Sequence, residues 1–381
     1  MNIPFDQIPS PTFLLDASLL RKNLELIDSV QKRAGVKIIL ALKGFSMWGS
    51  FPIINQYLSG TTASSLYEAR LGYEEFKGEV HAYCVAYFEH EFDEIMRYCN
   101  HITFNSIAQY EKFASRVRNG DKSISCAIRI NPEYSEVETD LYNPCIPGSR
   151  LGMTFDKFGD KLPEGIEGLH FHSLCEKDSY TLERTLKAIE PKFGHLINHC
   201  KWFNMGGGHL MTKEGYDIEH LVQLLIDFKK RYPNLEEVIM EPGSAIAWQT
   251  GYLVSSVQDI IESGGKQVAV LDVSVSAHMP DCIEMPYTAR ILGAEASDTG
   301  PYSYLVGGLT CLAGDYMGPY SFEKPLQAGD RLVFDDMMHY TMVKTTMFNG
   351  VSHPDIGIWT EKGSYDLLRK FSYQDFKYRL G

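Results

Sequence analysis

A chain of 381 residues with 44% hydrophobic and 22% charged content has the make-up of a globular protein, long enough for one large domain plus a smaller one. Its net charge of -13 argues against a nucleic-acid partner, because phosphate backbones are gripped by clustered Lys and Arg, and favours the approach of cationic small molecules, although acidity also serves solubility alone. The eight cysteines (Cys84, Cys99, Cys126, Cys145, Cys175, Cys200, Cys282, Cys311) include no CxxC pair, the N-terminal MNIPFDQIPSPTFLLD carries no leader-like pattern, and no window approaches about eighteen apolar residues; a reduced, cytoplasmic protein with no membrane partner is expected.

The run Pro11–Leu15 precedes the first long amphipathic pattern, Leu19–Arg33. Eight short apolar runs then read as strands: Val36–Leu42, Gly60–Ser65, Val80–Phe88, His101–Asn105, Ser123–Asn131, Gly168–Leu174, Trp202–Met205 and Glu237–Glu241. Helical spacing of apolar residues marks Leu66–Phe76, Phe92–Cys99, Ile107–Val117, Leu182–His199 and Ile218–Tyr232 between them. Strands alternating with helices in this way predict a TIM-like (β/α)8 barrel over 16–248, with its active site at the C-terminal strand ends and the Pro- and Gly-containing Tyr134–Gly159 as a loop over that face. After Trp248 the runs GYLVSSVQDII, KQVAVLDVSVSA, TARILGAEA, SYLVGGLT, DRLVFDD and HYTMVKTTMF are β-like, which predicts an all-β domain, a β-barrel or sandwich, built from 249–381 together with 1–15.

Several residues at predicted strand ends can carry chemistry. Lys43 follows VKIILAL at the mouth of the barrel, where a desolvated amine can form an imine with a carbonyl; a surface lysine following a strand is the plainer reading. Gly206, Gly207 and Gly208 follow the seventh strand and let backbone N–H groups close on a phosphate, unless they form only a turn. Glu241 opens EPGS after the eighth strand, where a carboxylate suits a protonated ring nitrogen or simply starts a helix. His170 and His172, at i and i+2, are expected on one face of a strand, as a stack over a flat ring or as metal ligands; His195 and His199 offer a weaker metal pair. Without an HExxH pattern or a clear carboxylate partner, no metal is assigned. In the β domain, GGLTCLAGD holds Cys311, a candidate proton donor, and Asp315; HYT and FNG follow, with Tyr340 and Asn349.

Taken in order, Lys43, FHS around His172, MGGG, MEPG, GGLTC with its later Asp, and HYT before FNG make the chain resemble, over nearly its whole length, the fold-type III pyridoxal-phosphate decarboxylases. Within that group ASSLYEAR, HITFNS, INPE, SRLGM and HFHSLCE look most like the carboxynorspermidine and carboxyspermidine decarboxylases. The resemblance implies an alanine racemase-like fold, pyridoxal 5′-phosphate as cofactor, a cationic polyamine-type substrate and a homodimer with shared sites. It implies that Lys43 is the Schiff-base lysine, His172 stacks on the ring, Gly206 to Gly208 hold the phosphate, Glu241 pairs with the ring nitrogen, and Arg129 and Tyr340 assist. Cys311 and Asp315 would enter from the partner subunit, with Glu241, Asp281, Asp315 and Glu176 as candidate partners of the substrate's amines.

Two departures from the pattern stand out: Ser244 replaces the Arg of EPGR, and Leu312 follows the Cys where ornithine and diaminopimelate enzymes carry an acidic residue. Both fit a longer substrate and a phosphate site that leans on the glycine loop. The alternatives are a diaminopimelate or ornithine decarboxylase, a non-catalytic cofactor carrier, an amino-acid racemase, which Glu241 disfavours, and a metal-dependent barrel hydrolase using His170 and His172.

Overall fold

The computed structural model describes residues 3–381. The chain divides into two compact units, one made of Met1–Arg21 with Ala247–Gly381 and the other of Lys22–Ile246. After a 3-10 turn, Phe5–Gln7, come strand β1 (Thr12–Asp16) and the helix Ala17–Ala34, whose first turn is tied to the Asp16 carboxylate through the N–H groups of Ser18 (2.8 Å) and Leu19 (3.2 Å).

The Lys22–Ile246 unit is built on strands β2 (Lys37–Ile38), β3 (Leu40–Ala41), β4 (Gly60–Ala63), β5 (Glu79–Tyr83), β6 (His101–Phe104), β7 (Ser125–Arg129), β8 (Ile166–His170), β9 (Trp202–Asn204) and β10 (Glu237–Met240). Every pairing is parallel, in the order β2-β10-β9-β8-β7-β6-β5-β4-β3. Because β2 and β3 are two pieces of one run, separated only by Ile39, the two ends of this sheet are the same strand and the sheet closes into an eight-stranded barrel. Ile39 keeps the seam intact by donating its N–H to the Met240 carbonyl at 3.0 Å. Such strands are buried on both faces, and Ile38, Ile39, Leu40, Ala127, Ile128 and Ile239 are fully covered.

Ser65, Ser106, Asp178 and Asp217 begin the helices Leu66–Leu71, Ile107–Asn119, Ser179–Ile197 and Ile218–Arg231, each side chain accepting a first-turn N–H. Ser65 and Ser106 follow close on β4 and β6, whereas longer loops separate β8 and β9 from their caps and hold His172 and the glycine loop at the C-terminal ends. The predicted Leu66–Phe76 helix is α only to Leu71 and continues as a π turn, Gly72–Phe76. Tyr134–Gly159 is a loop containing the short helix Phe155–Phe158, and it is fastened to the barrel by Asn105 Nδ2 donating to the Arg150 carbonyl (2.7 Å).

In the other unit, β11 (Gly251–Ser263), β12 (Lys266–Leu271), β13 (Ala294–Glu295), β14 (Tyr302–Gly307), β15 (Tyr316–Phe322), β16 (Arg331–Asp335), β17 (Asp355–Trp359) and β18 (Tyr365–Arg369) join β1 in a mixed sheet. Its order is β13-β15-β14-β12-β11-β1-β17-β18, with β16 on β11. Leu14, Val254, Val333 and Trp359 share its core.

Three β-like runs fold otherwise. HYTMVKTTMF makes 3-10 turns because its N–H groups bond locally, Thr341 to the His339 carbonyl and Lys344 to that of Thr341. The end of KQVAVLDVSVSA becomes the helix Val275–His278, since the Ser274 hydroxyl caps Ala277 N–H. TARILGAEA contributes only an Ile291 bridge and two-residue β13, turning at Gly293 with φ +75°. Strands β15, β17 and β18 were not expected; glycine and proline in YMGPYSF and glycine in DIGIW interrupt the apolar pattern.

Candidate active site

The C-terminal strand ends of the barrel gather Lys43 after β3, Tyr83 at the end of β5, Arg129 at the end of β7, His170 and His172 at and beyond the end of β8, Asn204 and the glycine loop at β9, and Glu241 after β10. Part of the Lys43 residue is exposed, while protein packs closely around its amine. That desolvation, reinforced by the nearby Arg129 charge and only partly offset by Glu241, holds its pKa below the ordinary lysine value. A lysine in this setting keeps more of its amine neutral and nucleophilic.

His172 lies 3.2 Å from Lys43 through Nε2, and its Nδ1 accepts the Gly207 N–H at 2.8 Å. Nδ1 is therefore the unprotonated nitrogen of the neutral ring and Nε2 carries the proton. Burial first, then the Lys43 and Arg129 charges, push the His172 pKa well below its normal value, so the ring stays neutral beside the lysine. The strand stops at His170, whose ring packs edge-on against Tyr83 (5.5 Å between centroids) and places Nε2 3.7 Å from Glu241 Oε2. Burial and the Arg129 and Lys43 charges hold it neutral as well.

The glycine loop is a backbone surface no other residue fits. A Cβ on Gly206 would strike the Phe171 carbonyl, one on Gly207 the Glu241 carbonyl, and one on Gly208 the Leu174 carbonyl; Gly206 and Gly208 also have φ of +65° and +86°. Asn204, which sequence reasoning passed over, organises this loop. Its Oδ1 accepts the Gly206 N–H at 2.8 Å and its Nδ2 donates to Glu241 Oε1 at 2.6 Å, so one buried amide joins the glycine loop to the carboxylate. The signal was an Asx residue two positions before a glycine, a spacing that favours a side-chain-to-backbone bond. Glu241 N–H in turn donates to the Gly206 carbonyl (2.8 Å).

Arg129 Nη2 donates to the His172 carbonyl at 2.9 Å, and its guanidinium lies over the Tyr83 ring, 4.6 Å from the centroid. It therefore braces the segment carrying His172 from behind. Glu68 belongs to the same neighbourhood: burial raises its pKa, against the opposing pull of the Ser64 N–H and the Lys43 charge. Glu176 is exposed, with a left-handed backbone (φ +51°).

Cys311, Asp281, Asp315 and Tyr340 belong to the other unit. Asp315 is buried and fully engaged there: Oδ1 accepts from Ser274 Oγ (3.0 Å) and Ser276 N–H (2.9 Å), Oδ2 from Thr310 N–H (3.1 Å) and Oγ1 (2.6 Å). Burial alone would raise its pKa, but these donors outweigh it and hold the carboxyl below the usual value. The loop they order carries Cys311, exposed, with its N–H donated to Asn349 Oδ1 at 2.7 Å. That bond joins the GGLTC and FNG segments. Asp281 pairs with Lys344 (2.6 Å), whose ammonium sits over the Tyr340 ring, 5.8 Å from its centroid; Tyr340 has φ +53°.

A family model described as "Pyridoxal-dependent decarboxylase, C-terminal sheet domain" matches residues 51–338. The chain is 49% identical over 380 residues to a carboxyaminopropylagmatine decarboxylase of Synechocystis, covering 100% of this chain and 97% of that protein. It is 44% identical over 386 residues to a carboxynorspermidine/carboxyspermidine decarboxylase of Campylobacter jejuni, covering 98% and 99%. The crystal structure of carboxynorspermidine decarboxylase with norspermidine from Campylobacter jejuni superimposes with a TM-score of 0.90 at 44% identity, covering 98% of this chain and 100% of that one. A diaminopimelate decarboxylase from Helicobacter pylori shares the fold, with a TM-score of 0.82 at 16% identity.

The cofactor these names imply is pyridoxal phosphate, and the residues present fit it. A desolvated amine is available for the aldehyde, a side-chain-free glycine cradle for the phosphate, and a carboxylate for a ring nitrogen, all at one barrel mouth. With coverage of this extent and a site of matching chemistry, the chain belongs to the pyridoxal-dependent decarboxylases.

Proposed function

We propose that this enzyme decarboxylates carboxynorspermidine and carboxyspermidine, giving norspermidine and spermidine, as a homodimer in which each subunit's sheet unit supplies Cys311 to the other's barrel. The observation that carries the reading is the Lys43–His172–Gly207 contact chain beside the Asn204–Glu241 pair, in a chain with full-length relatives named for such substrates.

In the reaction the Cα–carboxylate bond breaks, carbon dioxide leaves, and a proton takes its place on Cα. Pyridoxal phosphate, when bound, supplies an electron sink for the pair left on Cα. Lys43 would hold it through Nζ, Gly206 to Gly208 through backbone N–H groups, and Glu241 through its carboxylate; His172, held neutral by burial, offers a flat ring without adding a second positive charge. Arg129 fixes the His172 carbonyl and so the ring's position. Cys311, on a loop pinned by Asn349 and Asp315, would deliver the proton to Cα. Glu176 and Asp281 are proposed to meet the substrate's amines, with Tyr340 beside the cofactor. Asp315, already accepting four hydrogen bonds, would act by ordering the Cys311 loop.

A second reading concerns the far end of the substrate. The Synechocystis relative, at 49% identity, is named for carboxyaminopropylagmatine, in which a guanidinium replaces a terminal amine. The same α-carboxylate chemistry serves both. Release of carbon dioxide from purified enzyme, measured with carboxynorspermidine, carboxyspermidine, carboxyaminopropylagmatine, diaminopimelate and ornithine in parallel, separates them. Turnover of the carboxylated triamines at a kcat/KM at least about tenfold above the guanidino substrate supports the first reading. The reverse ranking selects the second, and turnover confined to diaminopimelate or ornithine overturns both.

A further inference from the structure

The end of the barrel away from Lys43 carries a second group of functional side chains that the decarboxylation does not use. Glu79 opens β5 and His81 lies two residues on; His101 opens β6 and is the Cα partner of His81 in the parallel ladder. One ligand atom from each of Glu79, His81 and His101 lies within 4.8 Å of the others. Register explains the proximity: residues directly opposite on neighbouring strands stand side by side, and the two imidazoles stack with centroids 4.0 Å apart at 19°. Trp202 closes the far side with its ring edge-on to His101, at 5.1 Å.

Two features leave this group able to take an ion. The Nδ1 atoms of both His81 and His101 are buried with no hydrogen-bond partner, although His81 is only 3% exposed and buried ring nitrogens are seldom left idle. The carboxylate is also replaceable in its present role. Lys37 Nζ contacts both oxygens of Glu79 (3.1 and 2.8 Å) but bonds Glu237 at 2.5 Å as well, so Glu79 can turn toward another cation without leaving the ammonium unpaired.

We propose that Glu79, His81 and His101 form a binding site for a divalent transition cation of the zinc class, at the N-terminal strand ends of the barrel and separate from the catalytic mouth. Two imidazoles and one carboxylate are the donor set such ions take, with water completing the coordination. Ligands to an ion of this class stand about 2.0–2.2 Å from it, so binding draws the three side chains together by roughly an ångström each and relieves the parallel stack. Cross-linking β5 to β6 at their first residues would brace the barrel end that governs stability rather than chemistry.

The test is calorimetric titration of chelator-treated holoenzyme with zinc chloride, compared across wild type, Glu79→Gln and His101→Gln, each of which leaves the buried His81 in place. The expected result is one zinc per chain at this site, weakened at least about tenfold in both variants, and a zinc-dependent rise in Tm in the wild type that both variants lose. Cobalt(II) provides a second readout: d–d absorption in the wild type and in Lys43→Ala, absent from His101→Gln. Equal zinc uptake and equal Tm shifts in wild type and both variants, or no uptake at all, would overturn the proposal, whatever the enzyme's substrate proves to be.

Discussion

Asn204 shows how much of the site rests on a residue that touches no reacting atom. Its amide satisfies a glycine-loop N–H and a Glu241 oxygen at once. Asn204→Ala leaves both unpaired in a buried setting, at a cost of about 1–3 kcal/mol for each group. The proposed roles of the loop and of Glu241 then predict pyridoxal phosphate affinity falling by at least about tenfold, read by titrating apoenzyme and following the visible band. A fall in turnover with unchanged affinity and spectrum would mean that Asn204 does not position these groups. Lys43→Ala is expected to abolish the borohydride-sensitive visible band and lower carbon dioxide release by on the order of 10³ or more. Such a variant retaining the band would remove Lys43 from its proposed role. Lys43, the glycines and Glu241 were legible because each follows an apolar run directly. His170 and His172 were legible as an i, i+2 pair, but what each ring meets was not: His170 packs on Tyr83 and His172 lies against Lys43.

Among elements, the Ser274–His278 turn is sensitive to pH. Ser274 caps the helix Val275–His278 and donates to Asp315, while its own N–H is accepted by His278 Nδ1 at 3.1 Å. Burial first, then the His353 charge, lowers the His278 pKa to about 4. In the unfolded chain the imidazole titrates near about 6.5. The folded value lies below the unfolded one, so between them the unfolded state binds the proton more readily. Stability from this group is full above pH ~6.5 and is lost as pH falls toward 4, on the order of 3 kcal/mol in all. Buried His209, lowered to about 4 mainly by burial, acts in the same direction in the barrel. Urea midpoints measured from pH 7.5 to 4 are expected to drop, and less steeply in His278→Gln; identical slopes would rule out the His278 contribution. None of this was visible in the sequence, where DVSVSA read as strand. Regular β runs were legible wherever apolar residues alternate, whereas β15 and β17 were hidden by Gly318, Pro319 and Gly357.

At the scale of the molecule, the barrel was written plainly in the sequence, because eight β-rich runs with helical runs between most of them admit few other arrangements. What the sequence could not supply was which atoms meet, since the contacts around Asn204, Arg129 and Asn349 join residues far apart in the chain. The proposed assembly adds a further level: Lys43 and Cys311 of one working site would come from different subunits. Among the described residues no helix is long and apolar enough to cross a membrane. Shared sites make a sharp numerical prediction. Lys43→Ala and Cys311→Ala homodimers are each defective in every site. When the two are mixed one to one and allowed to exchange subunits, half of the dimers become mixed. Each mixed dimer then pairs the intact Lys43 of one chain with the intact Cys311 of the other in one site, and holds both defects in its second site. Activity should therefore recover to about a quarter of wild type, with a rate of recovery set by subunit exchange. A Lys43 and a Cys311 acting within one chain give no recovery at any mixing ratio, because every site then keeps its own defect.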